Sequence, residues 1–394
     1  MRIWKLCLAL FMLMSPVVGA VACDATIDPG ADINTALSGL SSGGTLCLND
    51  GTYIITSVIQ LHDGKTIMGH SHDPTKAIIQ GNFNDTGAML LISDGTTGSA
   101  LNPEKLLWVT VMGGTVNTSS GIVENRPKYG IHVSGTSGTV ITTVNISHVR
   151  VAIIASAATD LVIDYAYIDY IGDVVNASNG DFSSIAITNG SDDATINHSI
   201  ITGNRNGHVP LEPNAPDANG VGTMVGDGQI SCNNSDGLQI RNTVIKYGGA
   251  GMYLLDCKDV TVADDTISWA SAWGIDAPAG DDGLYVQNTT IEDSGKGVSD
   301  FGAYWFPPRS DGTVQGNWEH ATATFYENTY TGNKQIDFSL LPASMLINCD
   351  GVNVLLGPDP SGHSDSISNV TSTSNTDAGG TSRCAYTHAF NPNN

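Results

Sequence analysis

Between Leu238 and Val298 the chain writes one pattern three times. Leu238-Gln-Ile-Arg-Asn-Thr-Val-Ile is followed by Val260-Thr-Val-Ala-Asp-Asp-Thr-Ile and then by Leu284-Tyr-Val-Gln-Asn-Thr-Thr-Ile. The matched residues Ile240, Val262 and Val286 are 22 and 24 positions apart. A period of that size is the mark of stacked repeats. Short apolar runs opening on glycine lie between the copies: Gly251-Met-Tyr-Leu-Leu, Gly274-Ile-Asp-Ala and Gly297-Val-Ser-Asp. Each repeat therefore offers two or three tiny strands separated by turns. One geometry suits this. The chain winds as a coil, and each strand pairs in parallel with its counterpart one coil away, roughly 4.8 Å along the axis. A single coil cannot bury its apolar residues, whereas a stack can. The expected fold is an all-β, single-stranded, right-handed parallel β-helix. A β-sandwich with regular strand spacing is the alternative, but sandwiches do not repeat a side-chain pattern in register.

The 394 residues are enough for a large core, and 45 glycines with 14% charged residues suit a chain of many tight turns. Residues 1–22 read as a secretory signal. Arg2 and Lys5 form a basic start, Leu6 to Met14 an apolar stretch, and Ala20-Val21-Ala22 a small-residue cleavage site. That stretch is too short for a membrane span, and no later segment is long enough, so membrane insertion is not expected. Export to the medium or periplasm is. Cys7 leaves with the signal, and the even set Cys23, Cys47, Cys232, Cys257, Cys349 and Cys384 points to three local disulfides. Cys232 and Cys257 stand about one coil apart. A competing reading makes Cys23 a lipid-anchored first residue, because Ala-Val-Ala-Cys loosely fits a lipoprotein cleavage box.

The formal charge is −23, and loss of Arg2 and Lys5 makes the exported chain more acidic still. Such a field opposes nucleic acid and anionic membranes. A polyanionic ligand would need calcium or a local basic patch.

In chain order, Asp32 to Leu40 has helical spacing after an Asp start and reads as an amphipathic cap. Residues 23–60 form the cap and first coil, 61–350 the β-helix, and 351–394 a Ser, Thr, Asn and Asp-rich end cap or tail. Leu107-Trp-Val-Thr-Val reads as one strand; Gly130-Ile-His-Val with Thr139 to Ile146, and Ala152-Ile-Ile-Ala with Leu161 to Ile168, give the coils that follow. Ile163 to Ile196 spans 33 residues and Ile196 to Ile240 spans 44. These longer spacings imply inserted loops near 172–183 and 204–222. Long loops on a regular scaffold are where function tends to sit.

The helix at Asp32, then Gly43-Gly-Thr, then Gly51-Thr-Tyr, then Ile59-Gln-Leu-His-Asp-Gly-Lys-Thr-Ile-Met-Gly resembles the opening of the pectin-lyase-like superfamily. The resemblance implies a β-helix whose open end is closed by that helix. Ser235-Asp-Gly-Leu-Gln-Ile followed by Val260-Thr-Val is similar to the strand rhythm of polygalacturonases. The Gly-Asp-Asp and Gly-His-Gly motifs of that family have no counterpart in matching places, since Gly280-Asp-Asp-Gly precedes a different type of strand. The Asp-Pro-His signature of alginate epimerases is also missing, His72-Asp-Pro having the reverse order. The Arg motif of pectate lyases has no match either. No catalytic residue carries over from any family.

Strand alternation places His132, Tyr253, Asp276 and Ser299 on one outer face. Asp256, Asp300, Trp269, Trp273, Tyr304 and Trp305 fall in the adjoining turns, and Arg205, His208, Glu212 and Asp217 on the long loop beside it. Aromatic faces stack on sugar rings, and paired carboxylates at fixed separation hydrolyse glycosidic bonds. The candidate substrate-binding residues are Tyr253, Trp269, Trp273, Tyr304 and Trp305. Hydrolysis would use two of Asp256, Asp276 and Asp300. A lyase would instead need a base and a cation from Arg205, His208, Arg241, Lys246 or Lys258, with calcium as the one cofactor the carboxylates could hold. Asp192-Asp193, Asp264-Asp265 and Asp281-Asp282 lie in or beside turns, where Asp serves the backbone. The sequence thus points to a monomeric, exported, polysaccharide-cleaving β-helix, with a non-catalytic surface binder of carbohydrate on the same scaffold as the rival. An ice-facing solenoid would require a flat Thr ladder, and the threonines line no one strand.

Overall fold

We describe a computed structural model covering residues 22–83, 87–94, 102–116, 123–124, 127–169, 183–202, 228–248, 250–270, 273–279, 283–292, 304–305, 322–331, 346–349, 352–355, 369–373, 376–377 and 386–389. Three sheets run the length of a coil. In the coil from Tyr129, the chain passes through Tyr129–Ser134 on wall 1, Val140–Thr142 on wall 2 and Asn145–Ser147 on wall 3, then re-enters wall 1 at Val151–Ser156. Among the described residues wall 2 holds 13 strands and walls 1 and 3 hold 11 each. Within the three walls the pairing is parallel until the C-terminal end, where Leu346–Cys349 meets Val352–Leu355 and Asn369–Thr373 meets Tyr386–Ala389 antiparallel; a separate antiparallel pair, Thr115–Val116 with Val123–Glu124, lies between walls 3 and 1. This is the expected right-handed parallel β-helix.

The column that defines the repeat forms as the spacing requires. Ile67, Leu106, Ile141, Ile163, Ile196, Ile240, Val262 and Val286 are successive register partners on wall 2, all fully buried. The long intervals within Ile163, Ile196 and Ile240 are absorbed without breaking this register. The extra residues lie between wall 3 and wall 1, after Tyr167–Asp169 and after Ile200–Ile201.

The helix Ile33–Ser38 covers the N-terminal end. Asp32 caps it by accepting the Thr35 N–H, and Ile33 and Leu37 are buried against the first coils. A coil end left open would expose apolar interior and unpaired strand edges. Tyr53 is buried below, with its hydroxyl donating to the Ile27 and Asn49 carbonyls.

One expectation is corrected. Leu107-Trp-Val-Thr-Val is not one strand but bends at Trp108, and the eight-residue segments of later coils bend after their fourth residue. From Trp108 to Glu327 the bend residue is left-handed: Trp108, Thr143, Tyr165, His198, Asn242, Asp264, Asn288 and Glu327 have φ between 44° and 62°. The next residue turns inward and is buried: Val109, Val144, Ala166, Ser199, Thr243, Asp265, Thr289 and Asn328. From Trp108 to Glu327 a two-residue corner therefore joins walls 2 and 3; one coil earlier the same connection takes residues 70–76, between Thr66–Gly69 and Ala77–Gly81. The glycines that open wall 1 have a different cause. A Cβ on Gly251 would lie 2.4 Å from Ile267 Cγ2 and 2.6 Å from the Gly274 carbonyl oxygen. The chain there passes too close to its neighbours for a side chain.

Two disulfides tie neighbouring coils, Cys23–Cys47 and Cys232–Cys257. The first occupies the Cys23 sulfur, which leaves none for the thioether of the lipid-anchored alternative. Cys384 and residues 1–21, which hold most of the expected signal, lie outside the described residues, as does the side chain of Cys349. Among the described residues no helix is long and apolar enough to cross a membrane.

Candidate functional site

Wall 1 carries the outer column that strand alternation anticipates. Its register partners in order are Gln60, Leu91, His132, Ile154, Ala186, Ser231, Tyr253, Asp276 and Trp305. Alternation is tight around it. Met252, Leu254 and Ile275 are fully buried and Ala277 nearly so, while Tyr253 between them is half-buried. Asp276 holds the matching position one coil on, flanked by Tyr253 on one side and Trp305 on the other. Adjacent strands lie about 4.8 Å apart. The column thus sets an aromatic residue, a carboxylate residue and a second aromatic residue on three consecutive coils.

Two placements differ from expectation. Trp305 and Tyr304 stand in a strand of wall 1, not in a turn, and Trp305 takes the column position assigned to Ser299. Trp273 likewise opens a strand, paired with Ala250. The register of that strand then slips. Tyr253 pairs with Asp276 but Leu255 pairs with Ala279, so one extra residue is accommodated directly after Asp276. Pro278 sits within this bulge, where its missing N–H breaks no regular ladder. Bulges re-aim side chains and recur beside active sites.

The remaining nominated residues separate. Asp256 is left-handed, φ 56°, at the corner between walls 1 and 2. Its neighbours in that corner column include Ala157, Asn189 and Asn234, also left-handed, so backbone demand accounts for an Asp there. Trp269 lies at the passage from wall 3 to wall 1. Its ring meets that of Tyr247 at 5.3 Å between centroids, and Lys246 Nζ is 5.4 Å from its centre. His132 shares the column but stands four coils from Tyr253, roughly 19 Å along the axis. Burial holds its imidazole below the ordinary range, and its ring approaches Tyr129 at 5.8 Å. Arg241 is on wall 2, Lys246 at the end of a wall 3 strand and Lys258 at the corner of walls 1 and 2. No cation of the described residues occupies the wall 1 column. Arg205, His208, Glu212, Asp217, Ser299 and Asp300 lie outside the described residues. Among those described, no group of three His, Cys, Asp or Glu side chains could hold a metal ion, so the calcium alternative finds no support there.

The bulge and Trp305 were within reach of sequence reasoning. A proline inside an otherwise alternating strand is a bulge signal. The wide interval from Asp276 to Trp305 hid the second from a reading tuned to a period of 22 to 24.

A coil of three parallel walls, with a capping helix and an aromatic–carboxylate–aromatic column of positions on wall 1, defines a parallel β-helix protein. The comparisons support a place in the pectin-lyase-like superfamily. A family model described as rhamnogalacturonase A/epimerase, pectate lyase-like, matches residues 19–214. The fold is similar to a polygalacturonase from Erwinia carotovora ssp. carotovora (TM-score 0.56, 10% identity, 91% of this chain and 93% of that one). It is also similar to an alginate lyase from Paenibacillus sp. str. FPU-7 (0.52, 13%, 90% and 95%) and to the surface protein and adhesin PfbA of Streptococcus pneumoniae (0.52, 12%, 78% and 92%). At these identities the likeness is one of fold. The comparison with curated proteins finds no match.

Proposed function

We propose that the protein is an exported polysaccharide-cleaving enzyme that works on wall 1 and hydrolyses its substrate, with Asp276 as the acid–base carboxyl. The observation that carries this reading is the register Tyr253, Asp276, Trp305, with the bulge after Asp276. Aromatic positions on the coils before and after a carboxylate suit sugar rings laid along the helix axis, with the scissile bond over the middle coil. Among the described residues the column carries no Arg or Lys to neutralise a uronate carboxyl, which favours hydrolysis over elimination. The second carboxylate that hydrolysis needs would come from the loops bordering wall 1, where Asp300 is the nominated residue. The two disulfides agree with an oxidising destination. The polygalacturonase and the alginate lyase, each sharing this fold, agree with a polysaccharide substrate.

The test is incubation with neutral and uronate polysaccharides, followed by reducing-end assay and by absorbance of unsaturated products. New reducing ends without unsaturated products, lost in Asp276→Asn, are the expected result. Unsaturated products would replace hydrolysis by elimination. The likeness to an adhesin favours one other reading, a binder without turnover. Retention on immobilised polysaccharide with neither product would establish it.

A further inference from the structure

The buried residues of the corner between walls 2 and 3 are hydrogen-bonded from coil to coil. The Ala166 N–H donates to Ser199 Oγ at 3.1 Å, and the Ser199 N–H to Thr243 Oγ1 at 3.4 Å. The Thr243 N–H donates to Asp265 Oδ1 at 2.6 Å, and the Asp265 N–H to Thr289 Oγ1 at 3.5 Å. The Thr289 N–H donates to Asn328 Oδ1 at 2.9 Å. Every other polar rung also donates. Ser199, Thr243 and Thr289 give their hydroxyl protons to the carbonyls of Asn197, Arg241 and Gln287, at 2.8, 2.9 and 3.0 Å. Asn328 gives an Nδ2 proton to the Val286 carbonyl at 3.0 Å. Asp265 alone has no proton to give when ionised. It is 2% exposed, and its Oδ2 is buried without a hydrogen-bond partner.

Asn328 shows what such a rung requires. Its Oδ1 accepts the Thr289 N–H, while its Nδ2 donates to the carbonyl three residues before Thr289. Asp265 Oδ1 accepts the Thr243 N–H in the same way. The carbonyl in the corresponding relation to Asp265 is that of Ile240. An amide completes both bonds at any pH; a carboxyl completes them only as the neutral acid.

We propose that Asp265 is held in the folded protein as a neutral carboxylic acid, acting as an asparagine-like rung, and that this makes the coil carrying Asp276 an acid-locked element. The coil is continuous from Asp265 through Thr266–Ser268 to Trp273–Ala279. Burial supports the proposal, pushing the carboxyl from 3.8 up to about 7. The backbone N–H groups of Thr243 and Ala263 pull the other way, the Asp264 charge adds to the rise, and Arg241 opposes it. The rungs on either side, Thr243 and Thr289, do not titrate. Because the folded carboxyl binds its proton more tightly than the unfolded one, its stabilisation is complete below about pH 4. It declines as pH rises towards 7 and is spent above that.

The decisive measurement compares wild type with Asp265→Asn in urea unfolding from about pH 4.5 to 8.5. The repulsion of the acidic chain is common to both, so the difference isolates one group. The variant should gain on wild type as pH rises, the gain levelling off above about pH 7. A difference that stays constant with pH, or a variant that loses ground as pH rises, overturns the proposal. Should Asp265→Asn fail to fold, Asp265→Thr copies the rungs at 243 and 289 and makes the same comparison. Infrared spectra of folded wild type offer an arm independent of stability. A protonated carboxylic acid band should be present at pH 6, well above the range of exposed carboxyls, and absent from the variant. Without that band at pH 6, Asp265 is a buried carboxylate and the rung is not neutral. Neither readout depends on turnover, so the outcome is separate from that of the hydrolase reading.

Discussion

The corner between walls 2 and 3 and the passage from wall 3 to wall 1 are both turns of the same coil, yet they behave as opposites. The corner is two residues long at every coil from Trp108 to Glu327, with one left-handed residue outside and one buried residue inside. From Tyr165 to Thr289 every backbone N–H in it is engaged by the next coil, which fixes its length there; one coil before Trp108 the same corner takes in residues 70–76. The passage varies freely. It is short before Val151 and takes up the extra residues before Ile185 and Gly228. A solenoid can afford variable loops on one border only if another keeps the register. The candidate site lies along the permissive border, on the wall that the rigid corner holds in phase.

The largest expected effect breaks the site and spares the corner. Asp276→Asn should lower turnover about 100-fold or more, the scale of a lost general acid or base. Its thermal midpoint should match wild type, since a strand position flanked by buried Ile275 and Ala277 keeps its packing. Equal losses of turnover and stability would mean that Asp276 serves the bulge instead.

The converse change strikes the corner. Thr289 is fully buried, accepts from the Asp265 N–H and donates to the Gln287 carbonyl. Thr289→Val keeps the shape and removes both bonds, leaving the buried Asp265 N–H unpaired while the Gln287 carbonyl still accepts the Asp264 N–H. Such a loss costs about 1–3 kcal/mol. Chemical unfolding should register it, with KM for any substrate unchanged. A comparable cost from Gly251→Ala would test the passage itself, where the added Cβ meets Ile267 Cγ2 and the Gly274 carbonyl. Overpacking of that kind costs about 1–3 kcal/mol. Because Gly251 leads the strand that holds Tyr253, binding should weaken along with stability.

These contrasts also explain what the sequence made legible. The period came through because every coil must place one apolar residue at the Ile240 position, whatever its loops do. The corner was harder to see. Asn242, Asp264 and Asn288 are residues that accept left-handed backbone, and they recur at the fifth place of all three clear copies. Elsewhere the same place is filled by Trp108, Thr143, Tyr165, His198 and Glu327, so no single residue type announces the bend. Tyr165 and His198 show what replaces the usual preference: their rings stack at 4.8 Å, and His198 Nδ1 lies 3.1 Å from Asp164 Oδ1. The site was only half legible for a related reason. Alternation within a strand fixes the position of Tyr253 and Asp276, but which residue follows them depends on how much chain is spent in the passage. That length is unconstrained by the core, and so Ser299 was favoured over Trp305.

The smallest expected effect has the opposite sign. Thr143 is β-branched and holds φ 54°, where branching at Cβ crowds the backbone. Left-handed geometry costs an ordinary residue about 1–2 kcal/mol. The Thr143 N–H is bound to the Asp164 carbonyl at 2.9 Å, a backbone contact that any replacement keeps. Its hydroxyl makes only a 3.5 Å contact with Thr142 Oγ1. Thr143→Asn would install the residue already found at 242 and 288 in the same column, and should raise stability by about 1 kcal/mol. A gain at position 143 would show that the column selects for backbone geometry, with side-chain identity secondary. A loss would mean that Thr143 makes contacts worth more than the strain it carries, and the corner would then be a set of individual solutions instead of one repeated device.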